Sequence, residues 1–294
     1  MARDDTPLST QHLVRPAHGA HAEGTRRPSP SIAAMDTHLE ELEPPSRLLM
    51  LMEGRAVFGL AAFYAALPWL RTAALGDGHP VMVLPGLGAT DASTRPLRGF
   101  LAELGYAVQG WDLGRNLGRG QIVSHHLVPR LSELCARTGR RVSLVGWSLG
   151  GILAREMAKR APQDVRLVVT MGSPFAGGGR SSNVARMFES VGGRKIVDDP
   201  HLRRRIREAP PVPLTSIYSR TDGVVAWRAC LEQEAATSEN IEVRGSHCGL
   251  GHNPAALWAV ADRLAQPEGQ WSRFAPSGAL RALYPDPKRR APAA

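Results

Sequence analysis

The sequence predicts an α/β fold: a mostly parallel central sheet, helices on both faces, and a helical cap insert. Three observations predict it. Short apolar runs without period-two alternation recur between residues 81 and 243, as expected of strands covered on both faces. Helical stretches separate these runs, so the connections read as β-α-β crossovers. One segment, 174–213, breaks the alternation and is too long for a structureless loop in a compact domain, so it reads as a small helical cap.

Taken in order, residues 1–43 are rich in Pro, His, Ser and charge, lack a sustained apolar period, and read as a tail. Residues 44–77 form an N-terminal helical segment, helical in composition over 46–75, with Pro68 ending or kinking it. Its most apolar stretch, 56–70, falls short of the roughly 20 residues that a membrane span needs. Glu53 and Arg55 stand just before that stretch. The stretch reads as a helix packed on the domain or lying on a membrane surface. The main domain, 78–268, has strands at 81–84, 106–111, 142–145, 165–171, 214–218 and 241–243. Helices fall at 93–104, 121–138, 152–160 and 254–265. In the insert, Arg180, Arg186, Arg194, Lys195, Arg203, Arg204, Arg205 and Arg207 outnumber Glu189, Asp198, Asp199 and Glu208. Residues 269–294 read as a C-terminal tail.

Composition narrows the function. A chain of 294 residues fits one large domain, and a hydrophobic content of 43% excludes a wholly disordered chain. Cys135, Cys230 and Cys248 cannot build a disulfide framework and form no C-x-x-C pair. The net charge of +9 invites nucleic acid, an anionic membrane surface, or no more than an Arg-rich genome habit. Basic residues are not interleaved with aromatics and no recognised module is present, so nucleic acid is not a predicted partner. No secretory h-region is evident, which makes the cytoplasm the expected compartment. There is no G-x-G-x-x-G and no G-K-[ST], so no nucleotide cofactor is expected. His247, Cys248 and His252 follow no zinc spacing, so no metal is expected either.

The strongest motif is Gly146-Trp147-Ser148-Leu149-Gly150, a G-x-S-x-G lying between a predicted strand and a predicted helix. Such a turn lifts the serine hydroxyl above the sheet edge and aims it at a helix N-terminus, where free N–H groups favour developing negative charge. A serine hydroxyl needs a base, and the base needs an orienting acid. In Ser…Asp…His order both lie downstream. Asp222 follows the strand at 214–218 and precedes a Gly turn. Asp198 and Asp199 compete but belong to the insert, whereas Glu232 and Glu234 look helical and exposed. His247 follows the last strand in a loop of small residues. His252 stands beside Asn253-Pro254, a helix start, and is less well placed. The loop Leu84-Pro85-Gly86-Leu87-Gly88 is suited to supply a second oxyanion donor, so the backbone N–H groups of Leu87 and Leu149 are the candidate pair.

Four motifs, VMVLPGLGAT, LVGWSLGG, YSRTDGVV and GSHCGLGHNP, stand in the order found in α/β-hydrolases, and the chain resembles bacterial lipase- and esterase-like members over about residues 78–265. The resemblance implies a Ser148–Asp222–His247 triad and a hydrolase without a cofactor, acting on a small-molecule or lipid ester. Many lipases carry His-Gly in the oxyanion loop where this chain has Pro85-Gly86. Two other readings share these residues: an acyltransferase passing the acyl group to an alcohol or thiol, and a non-catalytic binding module on a hydrolase scaffold. Phe175, Phe188 and the 56–70 helix are expected to wall an apolar pocket, and the 56–70 helix and basic insert suggest peripheral membrane contact.

Overall fold

The computed structural model describes residues 42–118, 121–177, 181–183 and 200–285. Six strands form one sheet: β1 Pro80–Leu84, β2 Ala107–Gln109, β3 Val142–Trp147, β4 Val165–Met171, β5 Leu214–Tyr218 and β6 Ser238–Glu242. Their order is β2-β1-β3-β4-β5-β6, and every pairing is parallel. Because all strands point the same way, all six strand ends deliver their loops to one rim of the sheet. Every residue of β1, β4 and β5 is buried, which is why these strands carry no polar alternation.

The helices among the described residues are α1 Arg47–Leu51, α2 Ala56–Leu70, α3 Arg95–Glu103, α4 Val128–Thr138, α5 Leu149–Arg160, α6 Pro200–Arg207 and α7 Pro254–Leu264. They cover both faces. On one, Phe63 and Leu70 of α2, Phe100 of α3 and Leu257 of α7 pack with Val81 and Val83. On the other, Leu131 of α4 and Leu153 and Met157 of α5 pack with Met82 and Leu84. Alternate residues of β1 thus feed opposite layers, as the strand period requires.

Several boundaries differ from the sequence reading. The strand expected at 106–111 is only three residues long, because Trp111 and Asp112 instead give their N–H groups to the Asp91 carboxylate. The helix expected over 121–138 is a π-turn over Val123–Leu127 that passes into α4, where Pro129 near the helix start lacks the N–H a continuous ladder needs. Pro68 ends nothing by itself, since α2 closes two residues later. The N-terminal helical run is continuous from Arg47 to Leu70 through a 3-10 turn at Met52–Arg55. Its 24 residues are long and apolar enough, by length and composition alone, to cross a membrane. Here it is docked on the domain, with Phe63 and Leu70 buried and Trp69 stacked on Trp258 of α7 at 4.4 Å.

Of the expected cap, α6 is helical; residues 178–180 and 184–199, with Phe188, lie outside the described residues. The C-terminal carbonyls of α6 are held by the sheet-covering helix α5: Lys159 binds the Arg205 and Ile206 carbonyls, and Arg155 those of Arg207 and Glu208 at 3.0 and 3.1 Å. Phe175, expected to wall a pocket, is instead buried beneath the Arg155 guanidinium, 3.8 Å from its ring centre, and Arg155 is itself paired with buried Glu232. Residues 1–41 of the expected N-terminal tail lie outside the described residues. In the expected C-terminal tail, residues up to 285 pack back on the domain. The Phe274 N–H reaches Glu239, and the Tyr284 hydroxyl donates to the Ala255 carbonyl at 2.8 Å.

At the opposite, N-terminal rim of the sheet a polar chain runs from exposed Asp77 to buried His79 and Ser143. Asp77 bonds His79 Nδ1 at 2.5 Å, and His79 Nε2 meets the Ser143 hydroxyl at 2.8 Å. Arg140 and Arg166 hold the other oxygen of Asp77 at 2.7 and 2.9 Å.

Candidate active site

Ser148 follows β3 and precedes α5 with φ 55° and ψ −122°, a left-handed backbone that a side chain adopts only under constraint. The constraint is crowding. A Cβ at Gly150 would fall on the Leu84 carbonyl, and one at Gly146 on the backbone of Gly150 and Gly151. Only glycines let β1, β3 and the start of α5 approach this closely. The Ser148 N–H is fixed on the Met171 carbonyl at 2.8 Å, which locks the turn to the end of β4.

Asp222 lies in the loop after β5, and His247 in the loop after β6. Asp222 Oδ2 accepts the bond from His247 Nδ1 at 2.6 Å, and both residues are buried, at 3% and 5% exposure. The other carboxylate oxygen of Asp222 takes the N–H groups of Val224 and Val225, each at 2.8 Å. A carboxylate so occupied keeps a fixed orientation and holds the proton of His247 on Nδ1, leaving Nε2 with its lone pair. The His247 ring packs over Gly172, the residue after Met171; a Cβ there would stand 3.1 Å from Nδ1. Ser148 and His247 therefore flank the same Met171–Gly172 corner. A direct tie reinforces this, because the Trp147 indole N–H donates to the His247 carbonyl at 3.2 Å. No hydrogen bond joins Ser148 to His247 among the described residues, and such bonds commonly tighten only when substrate is bound.

The loop after β1 passes beside the serine: a Cβ at Gly86 would lie 3.2 Å from that of Ser148. Among the described residues, the N–H groups of Leu87 and Leu149 have no hydrogen-bond acceptor, whereas those of Gly88 and Ala89 are used, on Asn116 and Gly86. The side chains of Leu87 and Leu149 both border Gly118. Leu87 and Leu117 are exposed and give the rim an apolar character.

A six-stranded parallel sheet, a strained serine between its third strand and the next helix, and an acid and a histidine after the fifth and sixth strands together decide the architecture. The chain has the α/β-hydrolase fold. No protein-family profile matches it. A curated relative, the pimeloyl-[acyl-carrier protein] methyl ester esterase of Shewanella woodyi, is 30% identical over 104 residues, 35% of this chain and 40% of that protein. The match thus spans about two fifths of that relative's length. Solved structures with a similar course include the Paleococcus ferrophilus monoacylglycerol lipase, at 14% identity and a TM-score of 0.46, covering 64% of this chain and 96% of that one. The mature Bacillus licheniformis lipase BlEst2 follows at 16% identity and 0.46, covering 62% and 89%. Aspergillus fumigatus lipase B has 19% identity and 0.48, covering 65% and 53%.

The charges at this site are placed around the imidazole. Burial disfavours the His247 imidazolium, but the carboxylates of Asp222 and Glu53 outweigh it and raise its pKa above the ordinary 6.5. Burial, with Glu53 beside it, pushes the Cys248 thiol up to about 12, so no thiolate stands there at neutral pH. His252, the rival base, points its Nε2 at the Ala56 carbonyl at 2.9 Å and ties α2 to the domain instead.

Two contributors were missed by sequence reasoning. Asn116 is fully buried; its side-chain amide donates to the Pro85 carbonyl at 2.8 Å, and its backbone carbonyl takes the Gly88 N–H at 2.7 Å, so it fixes the loop after β1. Glu53 reaches the loops of both Asp222 and His247. Asn116 stands in a Gly- and Arg-rich loop without any distinguishing pattern. Glu53 carried one clue: with Arg55, it is a charge at the head of an otherwise apolar helix.

Proposed function

We propose that this chain is a serine hydrolase that cleaves carboxylic esters through an acyl-enzyme. The observation that carries the proposal is the 2.6 Å Asp222–His247 bond beside a serine held at φ 55°. In the first step His247 Nε2 takes the Ser148 proton as the Ser148 oxygen attacks the ester carbonyl carbon. Asp222 keeps the imidazole in its tautomer and stabilises the imidazolium. The oxyanion receives the N–H groups of Leu87 and Leu149. The carbon–oxygen bond to the alcohol then breaks, and His247 gives its proton to the departing oxygen. Water, deprotonated by His247, repeats the sequence on the acyl-enzyme and releases the acid.

The apolar rim at Leu87 and Leu117 supports an ester with at least one apolar arm. We further propose that the exposed apolar face of α1 and α2 rests on an anionic lipid surface. Leu51 and Phe58 there are 81% and 78% exposed, Arg47 stands among them, and the chain carries a net charge of +9. On this reading the protein is cytoplasmic and loosely held at the membrane. It should float with vesicles containing phosphatidylserine and not with phosphatidylcholine alone; equal flotation would remove the charge argument.

The central test is Ser148→Ala on a p-nitrophenyl ester. Turnover should fall roughly a million-fold, with thermal unfolding unchanged. Wild-type turnover in a folded Ser148→Ala protein would end the proposal. Across acyl chain lengths, kcat/KM should rise with the apolar arm.

A further inference from the structure

The N-terminal segment carries a carboxylate into the heart of the site. Glu53 Oε1 accepts the backbone N–H of Gly223 at 2.7 Å and of His247 at 2.9 Å, and Oε2 accepts that of Cys248 at 2.8 Å. Gly223 follows the candidate acid; His247 and Cys248 are the candidate base and its neighbour. One side chain from outside the sheet thus holds the backbones of both loops.

Neighbouring contacts show how closely the segment is fitted to the loops. A Cβ at Gly223 would strike the Leu49 carbonyl, so only glycine lets the segment come this close to the acid loop. The Arg55 guanidinium donates to the Thr221 and Gly245 carbonyls, again one from each loop. Asn183 bridges the Pro45 and Gly223 carbonyls at 3.0 and 2.9 Å. The loops also cross-link each other directly, through the Ser219 and Thr221 hydroxyls on the Gly245 carbonyl at 2.7 and 2.9 Å. Neither of those direct links touches the backbone N–H of His247. Glu53 alone among the described side chains does so.

We propose that Glu53 is a positioning residue: its carboxylate sets the Asp222 and His247 loops in register and adds a second negative charge beside the imidazole. The proposal rests on the reading of Ser148, His247 and Asp222 as a triad. Hydrogen bonds from three N–H groups to one carboxylate are charge-assisted and directional, so they fix the loop backbones more firmly than neutral contacts would. The charge acts on the same group as Asp222 does, in the same direction. Both effects act through His247, and Glu53 itself has no need to touch substrate.

The two effects separate in two variants. In Glu53→Gln the amide oxygen can keep the Gly223 and His247 bonds, while the NH2 group opposes the Cys248 N–H and the charge is gone. We expect kcat to fall about 10- to 100-fold with KM unchanged. The acid limb of the pH profile should move to lower pH, because His247 loses one of the charges that favour its protonation. Glu53→Asp keeps the charge but shortens the reach; there kcat should fall at constant KM with the acid limb unmoved. Thermal melts establish that each variant is folded. An acid limb at its wild-type position in folded Glu53→Gln would overturn the proposal, as would wild-type kcat. Should Glu53→Gln fail to fold, Glu53→Asp decides: reduced kcat at constant KM supports the role, and wild-type kcat removes it. Ser148→Ala, assayed in parallel, keeps the two readings apart. Activity surviving in Ser148→Ala defeats the triad itself, whereas an inactive Ser148→Ala beside an unaltered Glu53→Gln defeats only the clamp.

Discussion

The same sheet carries a serine, a histidine and an aspartate at each of its two rims. At the N-terminal rim the chain of bonds is complete: Asp77 to His79 at 2.5 Å and His79 to Ser143 at 2.8 Å. At the C-terminal rim Asp222 reaches His247 at 2.6 Å, but the serine is not bonded to the histidine. By hydrogen bonds alone, the N-terminal rim would be chosen. The physical differences lie elsewhere. His79 and Ser143 are wholly buried, and Ser143 lies within β3, paired with Val81 of β1 and next to a register shift against β4. At 0% exposure its hydroxyl is closed to an acyl carbonyl. Ser148 is strained, partly exposed, and flanked by N–H groups that lack acceptors among the described residues. Burial lowers the pKa of His79 in spite of Asp77, whereas at His247 the carboxylates win and the pKa rises. One trio therefore reads as a polar strut around a histidine favoured in its neutral form, and the other as a candidate base. Access, free donors and strain distinguish a reaction centre; a chain of bonds does not.

The sharpest way to break this contrast is a fluorophosphonate probe. It should label Ser148 and leave Ser143 untouched, so that labelling is abolished in Ser148→Ala and complete in Ser143→Ala. The reverse pattern would exchange the roles of the two rims. Next in size, Asp222→Asn should lower kcat by about ten-thousand-fold through the wrong imidazole tautomer. An Asp77→Asn protein should keep its turnover, and equal losses in the two would erase the distinction.

The pH dependence gives a smaller effect. His247 must be neutral to act as base, and its pKa is raised, so kcat/KM should climb with pH through an apparent value above 6.5 and fall about tenfold per unit below it. A limb centred at or below 6.5 contradicts the charge arrangement. For His79 the sign is opposite. Its folded pKa is depressed, so its contribution to stability is present above 6.5 and declines as pH falls toward the folded value, because the unfolded chain binds the proton first. Melting temperatures of wild type and a His79→Gln variant should therefore converge on going from pH 7.5 to 5.5; parallel curves would mean the strut is not neutral. Smallest of all, Ser143→Ala should leave turnover unchanged and cost about 1–3 kcal/mol, measured by urea unfolding, because His79 Nε2 loses its buried partner.

Much of the fold was legible because its signals are local. Each of the apolar runs at 81–84, 165–171 and 214–218 became a strand fully covered on both faces. The sharp turn at Ser148 was legible for the same reason: glycines two residues either side of it answer to a collision within one turn. Asp222 and His247 were reachable by order along the chain and their places after strands. Glu53 and Asn116 were not. Each acts on backbone groups far away in sequence, and a bond to a backbone N–H imposes no residue type on its partner. Pattern reading therefore has nothing to match.

The sequence by itself determined which residues could become strands, where the chain must turn sharply, and which loops carry a hydroxyl, a carboxylate and an imidazole. These follow from backbone sterics, burial and side-chain type within a few residues. Only the tertiary structure decided which rim receives access, which histidine has its pKa raised by its surroundings, and which segment from outside the sheet holds the loops. Those outcomes depend on distances between groups that are remote along the chain, and electrostatics, burial and hydrogen bonding act through space.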